Sequence, residues 1–158
     1  MEIEKKFLVK SVPDDIEKYE HNEIEQAYLC GVPALRVRKY GERFVFTYKN
    51  RRDEPEKNIC IADEFEREIT REAFEHLKSK ADGIVIIKTR YRIPYENLII
   101  ELDIFHGVHE GLVLAEVEFP DEKTACHFVG PDWFAEDVSG DHRYTNNYLS
   151  THTVSIQD

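Results

Sequence analysis

The sequence predicts a mainly β fold with a few short helices, arranged as an antiparallel barrel or a strongly curved sheet. Three observations predict it. About eight segments have strand length and strand residue types. Hairpin-like turns join most of them, where a parallel sheet would need long crossovers. Within most segments, charged and apolar side chains alternate with the period of two that a strand imposes.

The first strand runs through Glu2-Ile3-Glu4-Lys5-Lys6-Phe7-Leu8-Val9. Ser11 to Ile16, with Ser, Asp and an early Pro, signals a turn into a short helix ending near Tyr19. Glu23 to Cys30 is expected to be extended, with a turn at Gly31-Val32-Pro33. Ala34 to Lys39 and Arg43 to Asn50 form a hairpin around Tyr40-Gly41-Glu42. Arg51 to Asn58 has no periodicity and is read as a loop, followed by a strand over Ile61 to Ile69. Arg71 to Ala81 has helical spacing, with Thr70 as its cap and Phe74 and Leu77 on one face. Strands follow at Ile84 to Ile93, Leu98 to Phe105 and Leu112 to Phe119, with a turn at Pro94 to Asn97. Glu122 to Val129 is expected to be helical. The segment from Gly130 on is turn-rich, with one helical turn near Thr145 to Ser150 and with Trp133 and Phe134 packing it onto the barrel.

A chain of 158 residues, 41% hydrophobic, fits a single domain over 1–158 with a sizeable core. No apolar run of roughly 18 residues exists, so no membrane partner is expected. The N-terminus lacks the basic and apolar stretches of a signal peptide, which makes the cytoplasm the expected location. Cys30, Cys60 and Cys126 are far apart and in no C-x-x-C pair, and are read as small, partly buried thiols, not as a disulfide or zinc framework. A net charge of −11 argues against a nucleic-acid partner. His106, His109 and His142 fall in loops without metal-ligand spacing and are read as surface residues.

The charges are sorted by strand. Glu2, Glu4 and Lys6 oppose Ile3 and Phe7; Arg36 and Arg38 oppose Leu35 and Val37; Thr47 and Lys49 oppose Phe46 and Tyr48. Glu64, Glu66 and Glu68 share a face, as do Lys88, Arg90 and Arg92, then Glu101 and Asp103, then Glu116 and Glu118. A solubilising face mixes signs, and like charges two apart repel. Such rows make sense around a ligand. If they face a lumen, Lys6, Arg36, Arg38, Lys49, Lys88 and Arg90 surround a polyanion. Glu2, Glu4, Glu116 and Glu118 then offer oxygens to a hard cation such as Mg²⁺ or Mn²⁺, with Asp103 as a further candidate.

The opening E-x-E-x-K at Glu2, Glu4 and Lys6 resembles the signature of the CYTH superfamily, the triphosphate tunnel metalloenzymes. Gln26-Ala27-Tyr28-Leu29, Arg36-Val37-Arg38, Thr47-Tyr48-Lys49, Glu64 to Ile69, Lys88-Thr89-Arg90-Tyr91, Glu101 to Phe105, Leu114 to Glu118 and Gly140 to Asn146 are similar to that family's later motifs, in its order.

The resemblance implies an eight-stranded, closed antiparallel β-barrel that binds a triphosphate small molecule and hydrolyses it with Mg²⁺ or Mn²⁺, as a monomer or homodimer. Short members with the motif at the extreme N-terminus resemble tripolyphosphatases. It implies Lys6, with Tyr28 as partner, and Glu64 or Glu66 as catalytic candidates, and Arg143 at the tunnel mouth. Arg92 and Glu101 are read as supporting ion pairs. A class IV adenylyl cyclase and a non-catalytic polyphosphate- or nucleotide-binding module are the alternatives.

Overall fold

The computed structural model describes residues 1–52 and 55–153. Nine strands, β1 (Glu2–Val9), β2 (Glu20–Cys30), β3 (Ala34–Tyr40), β4 (Arg43–Arg51), β5 (Cys60–Glu68), β6 (Ile86–Tyr95), β7 (Leu98–His106), β8 (Val113–Phe119) and β9 (Phe134–Asp137), form one antiparallel sheet among the described residues. The order is β5-β4-β3-β2-β6-β7-β8-β1-β9, and an added β5–β1 pairing closes the first eight strands into a barrel. Three short helices, α1 (Arg71–Lys80), α2 (Glu122–Cys126) and α3 (Asn146–Leu149), pack around it. No helix among the described residues is long and apolar enough to cross a membrane.

Closure is brief. Glu2, Ile3 and Glu4 pair with Ala62, Ile61 and Cys60. Further along the same edge of β1, Val138 N–H donates to the Lys6 carbonyl and Lys6 N–H to Ser139 Oγ. Then Phe7 and Val9 meet Asp137 and Phe134 of β9. The edge is therefore covered along its length, as a closed sheet requires. Four residues of β9 escape a sequence reading because so short a strand shows too little alternation to register.

Several boundaries differ from expectation. β2 begins at Glu20, because it pairs with β6 as far as Glu20–Arg92. Pro94 lies within β6 opposite Ile99, and the turn falls at Glu96-Asn97 with Glu96 at φ 53. Beyond Arg92, β6 has no β2 partner, so that edge tolerates a residue without an N–H. In the expected loop 51–58, Arg51 ends β4 and Pro55–Lys57 form a 3-10 turn, while residues 53–54 lie outside the described ones. The helix expected to Val129 stops at Cys126, because Phe128 turns inward against Phe7, Phe119 and Tyr95. At the β3–β4 hairpin, Gly41 takes φ +59 in a two-residue loop that needs positive φ.

Hydrocarbon lies mostly outside the barrel wall. Ile3, Phe7, Ile61, Leu102, Ala115 and Val117, the faces opposite the charged rows, cluster with Phe119, Ala125 and Phe134. Trp133 and Phe134 meet edge to face at 4.8 Å between ring centroids and join this cluster, as the sequence predicts. On the other side, Thr70 Oγ1 caps α1 by accepting from Ala73 N–H at 3.0 Å. The helix then seats Phe74 with Ala27, Val37 and Phe44. On the charged faces themselves, the apolar residues Ile86, Phe105 and Leu114 gather at one end around Leu149 of α3.

Phe74→Ala is expected to destabilise the protein by about 3–5 kcal/mol, since the ring is fully buried and its neighbours belong to a rigid wall. Urea denaturation monitored by tryptophan fluorescence measures it, and a loss under about 1 kcal/mol would contradict this account of the α1 seat.

Candidate active site

The ionic rows project inward. A cavity of about 790 Å³ opens inside the barrel, lined by Glu2, Glu4 and Lys6 of β1, Tyr28 of β2, Arg36 and Arg38 of β3, Lys49 of β4, Glu64 and Glu66 of β5, Arg90 of β6, and Glu116 and Glu118 of β8. Arg92 and Glu101 reach it too and pair with each other at 3.6 Å. Each side chain is where strand periodicity puts it, because one face of every strand looks at the same axis.

Three expected residues are placed elsewhere. Asp103 is fully buried and accepts from Arg90 Nε at 2.7 Å, Arg90 Nη2 at 2.8 Å and Lys88 Nζ at 2.8 Å. Its oxygens are engaged, so it orients Arg90 and offers no free face to a cation in the cavity. Lys88 is equally buried, held by Asp103 and by Asn146 Oδ1 at 3.0 Å, and it does not line the cavity. Arg143 sits on an exposed 3-10 turn, forked onto Asp141 at 2.6 and 3.0 Å, away from the mouth. Its neighbours Thr145, Asn146 and Asn147 line the opening instead. Thr145 and Asn146 fall within the Gly140 to Asn146 motif of the sequence, whereas Asn147 carried no signal of its own. Tyr28 stands beside Arg36, its Cα partner, and no hydrogen bond joins it to Lys6. Lys6 Nζ donates to the Tyr144 carbonyl at 2.8 Å and pairs with Glu116 at 3.1 Å. His109, expected at the surface, is buried against the Leu149 carbonyl at 2.7 Å.

The electrostatics divide the cavity. Burial opposes the Lys49 ammonium, but Glu4 and Glu2, at 3.5 and 2.5 Å, outweigh it and raise its pKa. Burial also opposes the Glu116 carboxylate, yet Lys6, Arg90, Lys88 and Lys49 hold it well below the usual range. The remaining acids are short of cations. Glu4 is raised by burial and by Glu116 and Glu2. Glu118 is raised by burial and by Glu2, Glu4 and Glu101. Glu64 is pushed up to about 8 by burial and by its hydrogen bond with Glu2. The same hydrogen bond, with Lys49, lowers Glu2 despite its own burial.

Opposite, Arg36 and Arg38 approach Glu64 and Glu66 no closer than 3.9 and 3.7 Å, so their forks remain available to an anion. Burial, then Arg36 and Arg90, lower Arg38 to about 10, which is relieved by incoming negative charge.

The donor set suits a hard divalent cation: it offers oxygens only, and Glu4 and Glu118 are raised by burial and by like-charged neighbours. Among the described residues no three acidic, His or Cys groups already converge on one point.

Residues 1–144 match the family model of the CYTH domain. An inorganic triphosphatase of Nitrosomonas europaea is 36% identical over 155 residues, covering 94% of this chain and 96% of that protein. An inorganic triphosphatase of Acetivibrio thermocellus is 45% identical over 87 residues, 54% of each chain. The crystal structure of an inorganic triphosphatase superposes with a TM-score of 0.70 at 34% identity, covering 96% of this chain and 95% of that one. A Hippeastrum protein with a dominant triphosphatase activity shares the fold alone, at TM-score 0.61 and 17% identity over 79% of this chain and 82% of its own. From the match over residues 1–144 and a relative 36% identical along nearly its whole length, this chain belongs to the CYTH domain family.

Proposed function

We propose that the protein hydrolyses inorganic triphosphate, or a closely related triphosphate, inside this cavity with the help of Mg²⁺ or Mn²⁺. The observation that carries the reading is the pairing, in one lumen, of arginine forks without a close carboxylate and carboxylates short of cations. The relatives named inorganic triphosphatase support it. The thiols of Cys30 and Cys126, in no disulfide, suit a reducing compartment, which supports the cytoplasm.

Arg36, Arg38, Lys49 and Arg90 hold the linked phosphates and fix their direction. Lys6, carrying a positive charge between Glu116 and the Tyr144 carbonyl, faces the same chain and stabilises charge on the leaving oxygen. Glu4 and Glu118, with Glu2 and Glu116 beside them, are the carboxylates that would hold a divalent cation. When bound, that cation supplies Lewis acidity toward the phosphate oxygens. Glu64 and Glu66 sit where they can orient a water for in-line attack, with Glu64 able to exchange its proton near neutral pH. One phosphoanhydride bond breaks, one P–O bond to water forms, and phosphate and diphosphate leave.

Arg38→Ala removes a charge-assisted phosphate contact worth about 1.5–3 kcal/mol, so kcat/KM for tripolyphosphate should fall roughly tenfold to over a hundredfold. A Glu4→Ala, Arg38→Ala double variant releasing phosphate as fast as wild type would sink the enzyme reading. Glu118→Gln should raise the Mg²⁺ concentration for half-maximal rate by about tenfold; an unchanged requirement would place the ion elsewhere.

The Glu64 shift has a definite sign. Its folded pKa lies above the unfolded value, so the native state holds the extra proton and the associated stability declines as pH rises toward about 8. The same proton competes with a cation. The rise in Tm on adding Mg²⁺ should therefore be larger at about pH 8.5 than at about pH 6, and Glu64→Gln should flatten that difference. Equal shifts at both pH values in wild type would refute the competition.

A further inference from the structure

Gln26 lies on β2 two residues before the cavity-lining Tyr28, with Arg38 of β3 and Ile86 of β6 as its Cα partners. Its side chain is 0% exposed and is absent from the cavity wall. Neither its Oε1 nor its Nε2 has a hydrogen-bond partner. The same holds for Nε of Arg36 and of Arg38. These groups come from adjacent positions of two paired strands, on the inward face.

A buried amide left unpaired costs about 1–3 kcal/mol, and native proteins meet such groups with ordered water. The set here, one acceptor and three or more N–H donors, matches what one or two water molecules can bond. A second observation says why it matters. Arg90 is locked in orientation by the Asp103 carboxylate, whereas Arg36 has a side-chain hydrogen bond with Tyr28, and Arg36 and Arg38 reach carboxylates only through the long contacts to Glu64 and Glu66. Their guanidinium planes lack a carboxylate orienter, and the neutral amide at their bases is placed to serve instead.

We propose that Gln26 is a positioning residue: its buried amide holds ordered water against Nε of Arg36 and Arg38, and so aims their terminal nitrogens into the cavity. This rests on the triphosphate-binding reading above. Gln26 touches no substrate, because it is fully buried and does not line the cavity. Water bonded to Nε leaves the terminal nitrogens that face the cavity for phosphate oxygens, where a direct carboxylate pair would partly occupy them.

Gln26→Met keeps the volume and removes every hydrogen-bonding atom. It should raise KM for tripolyphosphate about tenfold with kcat within about twofold, and weaken metal-free calorimetric binding by a similar factor. Gln26→Asn retains the amide and leaves room for a further water, so its KM should stay within about threefold of wild type. An unchanged KM in the Met variant, or an Asn variant as weak as Met, overturns the proposal in favour of simple packing. A high-resolution crystal structure of the wild type showing no water bonded to Gln26 overturns it as well, whatever the variants' folding. Wild type that binds tripolyphosphate without turnover refutes the hydrolase reading alone, and Gln26 is then judged by calorimetry; wild type that neither binds nor turns over refutes both.

Discussion

Glu2, Ile3 and Glu4 pair with Ala62, Ile61 and Cys60, and that three-residue ladder turns a curved sheet into a closed wall. The seam and the site are the same residues. Glu2 and Glu4, which close the barrel with their backbones, meet Lys49 across the lumen with their side chains. Register at this seam is strict, because a slip by one residue would bring Ile3 and Phe7 into the charged interior and drive Glu2, Glu4 and Lys6 into hydrocarbon. The outer clusters around Phe7, Leu102 and Val117 oppose any such slip.

The interior is poor as a source of stability. Buried ion pairs roughly break even against their desolvation, and several lumen acids do not achieve even that. Glu4, Glu64 and Glu118 are all raised from the ordinary carboxylate value, because burial and their like-charged neighbours outweigh the available cations. Folding is therefore driven by apolar surface placed outside the charged wall. The proposed occupants, a cation beside the acids and an anion beside the arginines, would relieve the repulsion within it.

The cations serve two different purposes. Arg90 is clamped by Asp103, with Lys88 and Asn146 behind it, so part of the basic set is rigid before any ligand arrives. Arg36 and Arg38 have no such clamp, and their direction depends on weaker support at the base of each side chain. The segment after β9 belongs to the same scheme. It supplies the Tyr144 carbonyl to Lys6 and the Asn146 amide to Lys88, and seats Leu149 at the apolar end of the lumen.

Much of this was legible in residue order. Alternation with period two placed Glu2, Glu4, Lys6, Arg36, Arg38, Lys49, Glu64, Glu66, Arg90, Glu116 and Glu118 on strand faces, and sorting by sign marked those faces as facing a ligand. Period two says which residues share a face, because the strand backbone enforces it locally. It does not say how far along the barrel axis a residue stands. Lys88 and Asp103 follow the same alternation as Arg90 and Glu101, yet they lie one step deeper and are consumed by each other. The four-residue β9, the turn of Arg143 toward Asp141 and the burial of His109 under Leu149 likewise depend on partners far away in sequence. The sequence by itself thus determined the strands, their two faces and the chemistry of each face. Only the tertiary structure decided depth, closure and which charges remain free, because those follow from strand stagger and from contacts between segments that no local pattern encodes.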